Sequence, residues 1–259
     1  GKSTLKADLD IRERGCAVKV RGVRVTVDGN LDAETLYSTC LRDLAPLPDT
    51  AEEVRSIAQA LLAPPEKSVF LGADASEARI KAMDLSDRQV IAFATHALLP
   101  GDLDGLDQPA LALSAPEVTG EAEDGLLTMG EIMTLRLDAD WVVLSACDTG
   151  SASGAGREAL SGLGAAFFYA GSRSLLVSLW PVETTSARHL TTGIFARQQA
   201  DHRLGRAQAL QEAILALMDS PGLTDPRTGQ VAASYAHPMF WAPFILVGEG
   251  APEGHPAAQ

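Results

Sequence analysis

Trp141-Val142-Val143-Leu144-Ser145-Ala146-Cys147-Asp148-Thr149-Gly150 changes character halfway along its length. Four large apolar residues in succession predict a strand buried on both faces, and the run breaks abruptly into a small, polar turn closed by glycine. Cys147 falls at that break. In an open parallel α/β sheet the reacting groups collect just beyond the carboxyl ends of the strands, so a thiol here is offered to a crevice. The plainer alternative is a small buried hydrophobe, which is what free cysteine often is.

A second run of the same kind lies upstream, Gln89-Val90-Ile91-Ala92-Phe93-Ala94-Thr95-His96, ahead of the turn-rich Leu99-Pro100-Gly101-Asp102. It too ends on a titratable residue. A lone histidine is more often structural than catalytic. A histidine and a cysteine each closing an apolar strand, however, form the arrangement a thiolate nucleophile needs. The imidazole lowers the thiol's pKa and then gives its proton to the leaving amine.

The segments around these strands predict alternating α and β elements. Residues 68–71 read as a short strand and 75–83 as a helix, so with 89–95 they form a parallel, right-handed unit that brings both active ends to one sheet edge. Residues 111–113 read as a strand, and 114–124 as a mobile loop or a self-cleaved regulatory segment. Thr128 and Glu131 have capping-box spacing for a helix ending near Arg136. Gly154-Ala155-Gly156 precedes a helix but stands too far from the strand end for a dinucleotide fingerprint. A helix over 160–170 closes on Gly171, and a strand over 174–180 stops at Pro181. Helices over 183–199 and 204–218, a loop over 220–236 and a strand over 244–247 complete the domain, with 250–259 as a disordered tail.

At the N-terminal end, Gly1-Lys2-Ser3-Thr4 resembles the close of a phosphate loop but lacks its strand and first glycine. Residues 17–27 alternate apolar and polar on either side of Gly22, predicting a half-exposed hairpin, and a helix is predicted over 32–44. Residues 1–43 are therefore expected to be an extension that packs on the main domain. Thr50 and Glu53 have the spacing that starts a helix whose stripe is Val54, Ile57, Ala58, Leu61 and Leu62.

The 259 residues suit one large core, and 46% hydrophobic with 21% charged residues is ordinary for a globular chain. A net charge of -13 argues against binding nucleic-acid phosphates. Cys16, Cys40 and Cys147 are odd in number and lack metal-ligand spacing, so no disulfide framework, metal or other cofactor is expected. No apolar run reaches membrane-spanning length, and a reducing, cytoplasmic setting is expected.

Five motifs in order resemble the CHAT domains, caspase-like modules commonly found behind tetratricopeptide repeats. They are Pro46-Leu47-Pro48 before an acidic helix, the segment from Asp124 to Ile132, Leu144-Ser145-Ala146-Cys147-Asp148-Thr149-Gly150, Ser178-Leu179-Trp180-Pro181-Val182, and the segment from His237 to Phe244. The likeness covers residues 44–249. It implies a caspase-like three-layer sandwich: a mostly parallel central sheet flanked by helices, here with the small hairpin-and-helix extension.

The resemblance also implies a cysteine endopeptidase. Cys147 attacks the scissile carbonyl, His96 serves as acid and base, and the N–H groups of Cys147 and Ala97 hold the oxyanion. The protein substrate is expected to lie as an extended strand along Ser178, Leu179 and Trp180, with Asp148 and Glu183 lining a pocket for a basic side chain. Ala97 stands where related proteases carry glycine, and the turn after the nucleophile departs from the caspase pattern, so a preference for cleaving after Asp is not carried over. A repeat domain or partner protein is the implied regulator. Bacterial antiphage defence or regulated cell death is the implied setting, with a gasdermin or a CRISPR-associated factor as the kind of protein cut. The alternatives are a catalytically silent scaffold of the same fold and an unrelated α/β binding protein.

Overall fold

A computed structural model of the chain describes residues 41, 44, 47, 49–103, 105–145, 154–180, 182–225 and 227–251. Cys147, Asp148 and nearly all of the predicted extension over 1–43 lie outside the described residues, as does the tail beyond Ala251.

The two apolar runs form neighbouring strands. Strand β1 (Val90–Phe93) pairs in parallel with β5 (Trp141–Leu144), β5 with β6 (Ser174–Ser178), and β6 antiparallel with β9 (Phe244–Gly248), in the order β1-β5-β6-β9. Unbroken apolar sequence produces burial on both faces. Val142, Leu144, Leu175 and Val177 join one core with Leu163, Ala166 and Phe167 of α6 (Gly154–Ala170). Trp141, Val143 and Leu176 join another. It is closed by α1 (Thr50–Ala60), α7 (Thr184–Ala200) and α8 (Arg206–Met218), through Ile57, Leu190, Ile194 and Ala213. Helix, sheet and helix make the expected three layers.

A smaller antiparallel sheet hangs from the carboxyl rim of the first. Its strands are β2 (Ala97–Leu98), β3 (Ala110–Ala112) and β4 (Leu126–Thr128), in that order. Thr128 and Glu131 close the predicted capping box at the start of α5 (Met129–Ile132), which is shorter than the sequence suggested. A one-turn helix, α4 (Pro116–Thr119), interrupts the expected loop over 114–124, and a hairpin of β7 (Leu223–Thr224) and β8 (Val231–Ala233) interrupts that over 220–236. Residues 69–71 are extended without a paired strand among the described residues, because α2 (Pro65–Ser68), opened by its N-terminal proline, takes up the start of that segment.

Helix α3 (Glu77–Ala82), capped by Ser76, carries one lysine into a group of three acids. Lys81 Nζ lies 2.5 Å from Glu77, 2.7 Å from Glu131 and 3.2 Å from Glu123. One ammonium cannot neutralise three carboxylates. Burial, and then the charge on Glu131, push Glu77 up to about 7, against Lys81 and the Gly125 N–H that both bind it. Although burial acts the other way, Lys81 and the Thr128 cap hold Glu131 down at about 2.

The linkage signs are opposite. Stability from protonated Glu77 is present below its ordinary value of 4.5 and is lost as pH rises through about 7; that from Glu131 is present above 4.5 and lost toward pH 2. Glu77→Gln is therefore expected to gain Tm relative to wild type as pH rises from 5 to 8. A difference that stays flat in calorimetric scans across that range would contradict the assignment.

Candidate active site

Strands β1 and β5 end together. Phe93 is opposite Leu144 in the parallel register, and the Ser145 N–H donates to the Phe93 carbonyl at 3.3 Å. Counted along the sequence, His96 and Cys147 each stand three residues beyond that last pair. Past Phe93 the chain leaves the central sheet for the small one. The His96 carbonyl accepts from the Ala112 N–H at 2.9 Å, and the Thr95 hydroxyl donates to the Ala112 carbonyl. These two bonds fix the half-buried His96 between the sheets.

The register decides where the next N–H points. With Ala112 bonded to His96, the Ala97 and Leu111 pair is a non-hydrogen-bonded one, so the Ala97 N–H is directed away from β3 at the outer edge of β2. Ala97 itself is buried.

Strand β6 overhangs its neighbour. Pairing with β5 ends at Leu144 and Val177, while pairing with β9 continues to Ser178 and Phe244. The Leu179 N–H donates to the Pro243 carbonyl at 3.0 Å, so the β9 side of this segment is occupied. Its other side lies beyond the end of β5, next to Ser145, whose carbonyl accepts from the buried Ser178 hydroxyl at 3.3 Å. Trp180 follows with 42% of its surface exposed. Glu183 is engaged with the backbone of its own helix. Its two carboxylate oxygens accept from the Thr185 and Ser186 N–H groups, both at 2.8 Å, as the N-cap of α7.

By its spacing from Thr50, Glu53 is expected to help cap α1, and the structure turns it inward instead. Asp49 occupies the cap position without a side-chain bond, and the Thr50 hydroxyl donates to the Leu47 carbonyl at 2.6 Å. Glu53 is 3% exposed, and its oxygens accept from the hydroxyls of Ser145 at 3.1 Å and Thr191 at 3.2 Å. It thus ties α1 and α7 to the residue two ahead of Cys147. Burial raises its pKa, opposed by the two hydroxyls and by Arg188. The signal was available, since Glu53 precedes Ile57 by four residues and so shares the core-facing side of α1.

Truncation to Glu53→Ala leaves the Ser145 hydroxyl without its acceptor and opens a void, with an expected loss of about 2 to 3 kcal/mol. Glu53→Gln keeps the shape and an acceptor and is expected to cost about 1 kcal/mol or less. Urea midpoints of the two variants compare them directly. Equal losses would mean that the carboxyl's bonding partners contribute little.

The CHAT domain family model matches residues 17–249, nearly the whole chain and all of the elements above. The chain belongs to the CHAT family. Two relatives extend the comparison, both called tetratricopeptide repeat protein 28. The human protein is 26% identical over 232 residues, covering 78% of this chain and 8% of the relative; the mouse protein is 25% identical over 233 residues, covering 78% and 9%. This CHAT chain therefore spans less than a tenth of the length of these relatives. It has the caspase-like arrangement of a mostly parallel sheet between helices. Among the described residues no cluster of histidine, cysteine and acidic side chains could hold a metal ion, and no helix is long and apolar enough to cross a membrane.

Proposed function

We propose that this CHAT domain is a cysteine endopeptidase working through Cys147 and His96. One observation carries the reading: the strands that lead to the two residues are adjacent, parallel and in register to their last pair, so both segments leave the sheet at one rim. In the reaction the Cys147 thiol gives its proton to His96, and the thiolate attacks the scissile carbonyl. The resulting oxyanion is held by the N–H groups of Cys147 and Ala97; the orientation of the latter away from β3 supports that role. Imidazolium protonates the departing amine, and water hydrolyses the thioester with His96 as base.

The substrate peptide lies extended along Ser178, Leu179 and Trp180 on the side where β5 has ended. Asp148 is the acid proposed for a basic side chain, since the Glu183 carboxylate already caps α7. An attached repeat domain is the proposed regulator, in keeping with the names of the two relatives. The setting implied by the family, bacterial defence or regulated cell death, directs the search to a partner protein cut at one site.

Mapping of new protein N-termini in cells carrying wild type or Cys147→Ala tests the proposal. Termini present with wild type and absent with the variant are expected. Identical maps, together with no labelling of Cys147 by peptide electrophiles, would leave the silent scaffold instead.

A further inference from the structure

Backbone pairing between β5 and β6 ends at Leu144 and Val177, so one residue further on the two strands are held by side chains. Ser145 stands at that point, and each of its polar groups is bonded to a different element. Its N–H donates to the Phe93 carbonyl at the end of β1, its carbonyl accepts from the Ser178 hydroxyl at the end of β6, and its own hydroxyl donates to Glu53 of α1. The bond from Ser178, at 3.3 Å, is long for two oxygens and does not fix the rim by itself.

Glu53 is a costly choice if its task is only to brace two helices. Its oxygens accept from two hydroxyls, while Arg188, whose charge reaches it, is bonded to Glu52. Taking a carboxyl group out of water to bond hydroxyls is at best neutral for stability beside an apolar side chain of the same volume. Nor do α1 and α7 depend on it, since Ile57, Leu190 and Ile194 already pack in one core. What the carboxyl supplies is direction. The Thr191 hydroxyl has a further acceptor in the Ala187 carbonyl at 3.0 Å, whereas the Ser145 hydroxyl is bonded to Glu53 alone among the described residues.

We propose that Glu53 is a positioning residue for the peptidase reaction: by fixing the Ser145 hydroxyl it holds the end of β5 at a set distance from Ser178, the first residue of the segment along which the substrate lies. Its effect on rate presupposes the peptidase reading above; its effect on the rim does not. A peptide strand added beside Leu179 and Trp180 is placed by backbone bonds to that segment, whereas the attacking group is carried by the segment that Ser145 begins. A shift of about 1 Å between the two is enough to cost about a hundredfold in rate. Ser145, Ser178 and Glu53 are where they are joined.

Kinetics of the full chain on a peptide spanning the mapped cleavage site test this. Glu53→Met keeps the volume and removes the acceptor, and is expected to lower kcat by about tenfold to a hundredfold with KM within about threefold of wild type. Glu53→Gln, which retains an acceptor, is expected to stay within about threefold in kcat, and Thr191→Val, which removes the carboxyl's other partner, within about twofold. Ser145→Ala approaches the same bond from its other end and is expected to match Glu53→Met; the two together are expected to be no slower than the slower of them alone. Wild-type kcat in Glu53→Met, or a loss in Thr191→Val as large as in Glu53→Met, would overturn the proposal, the second result leaving Glu53 as a brace between helices.

Hydrogen exchange read by NMR gives a measure that needs no substrate. The Ser145 amide is expected to exchange about tenfold faster or more in Glu53→Met and at the wild-type rate in Thr191→Val, with Val143 protected in both. An unchanged Ser145 amide in Glu53→Met would overturn the placement whether or not the chain cuts a peptide. A wild type that cuts no peptide, with Ser145 exchange still faster in Glu53→Met, would sink the peptidase reading and leave Glu53 as the anchor of the rim.

Discussion

His96→Ala and Cys147→Ala are each expected to lower kcat by about 10⁴-fold or more on a peptide spanning the mapped cleavage site, with Tm within a few degrees of wild type. The magnitude follows from what each group does. Without imidazole the thiol is largely protonated near neutral pH and the leaving amine departs as an anion; without sulfur there is no covalent route. His96 is half-buried and belongs to neither large core, and Cys147→Ala removes a single heavy atom, so folding is spared. The diagnostic result is the double variant. Groups that act as one unit are not additive, so removing both is expected to cost no more than removing either. Losses that multiply would mean that the two side chains act separately, and the dyad would be abandoned.

The largest expected effect on stability lies at the far end of the same layers. Helix α6 ends in a Schellman turn, with the Ser172 N–H donating to Phe167 and the Gly171 N–H to Phe168. Gly171 has φ +113, and a Cβ added there would sit 2.2 Å from the Leu137 carbonyl oxygen. That backbone cannot simply withdraw, because the Leu137 N–H is bonded to the Ala170 carbonyl at 2.8 Å. Gly171→Ala is therefore expected to cost about 3 kcal/mol or more, from left-handed strain plus collision, and to lower Tm by roughly 10 °C. Gly101→Ala is the control: φ is +91 but nothing lies within 4 Å of the added atom, so only the strain of roughly 1 kcal/mol applies. Equal losses in thermal melts would remove the collision from the account.

Those parts of the fold with a strong periodic signal were legible in the sequence. Trp141 to Leu144 and Leu175 to Val177 are continuous apolar runs, which leave a parallel, doubly covered strand as the natural outcome. Val69 to Leu71 carries the same signal and has no strand partner among the described residues, because a run of apolar residues specifies burial without naming a partner. The site was legible to the level of its rim. His96 and Cys147 stand out by ending a strand, whereas the expectation that a substrate pairs along Ser178, Leu179 and Trp180 came from family likeness alone. Sequence misplaces Glu53 and does not foresee the cap made by Glu183 for one reason: a carboxylate near a helix start can cap that helix, line a pocket or anchor another element. Only the neighbours, Ser145 and Thr191 for one and the Thr185 and Ser186 amides for the other, decide among these.

The crossing of the chain from one sheet to the other at Thr95 and His96 has a mechanical outcome. The segment leading to Cys147 is rooted in the large sheet, whereas the Thr95 side chain and the His96 backbone are moored to Ala112 in the small one. In the proposed mechanism a tug on the β2, β3 and β4 ribbon thus reaches the base before the nucleophile. Under that mechanism, alignment of the two is set from the periphery.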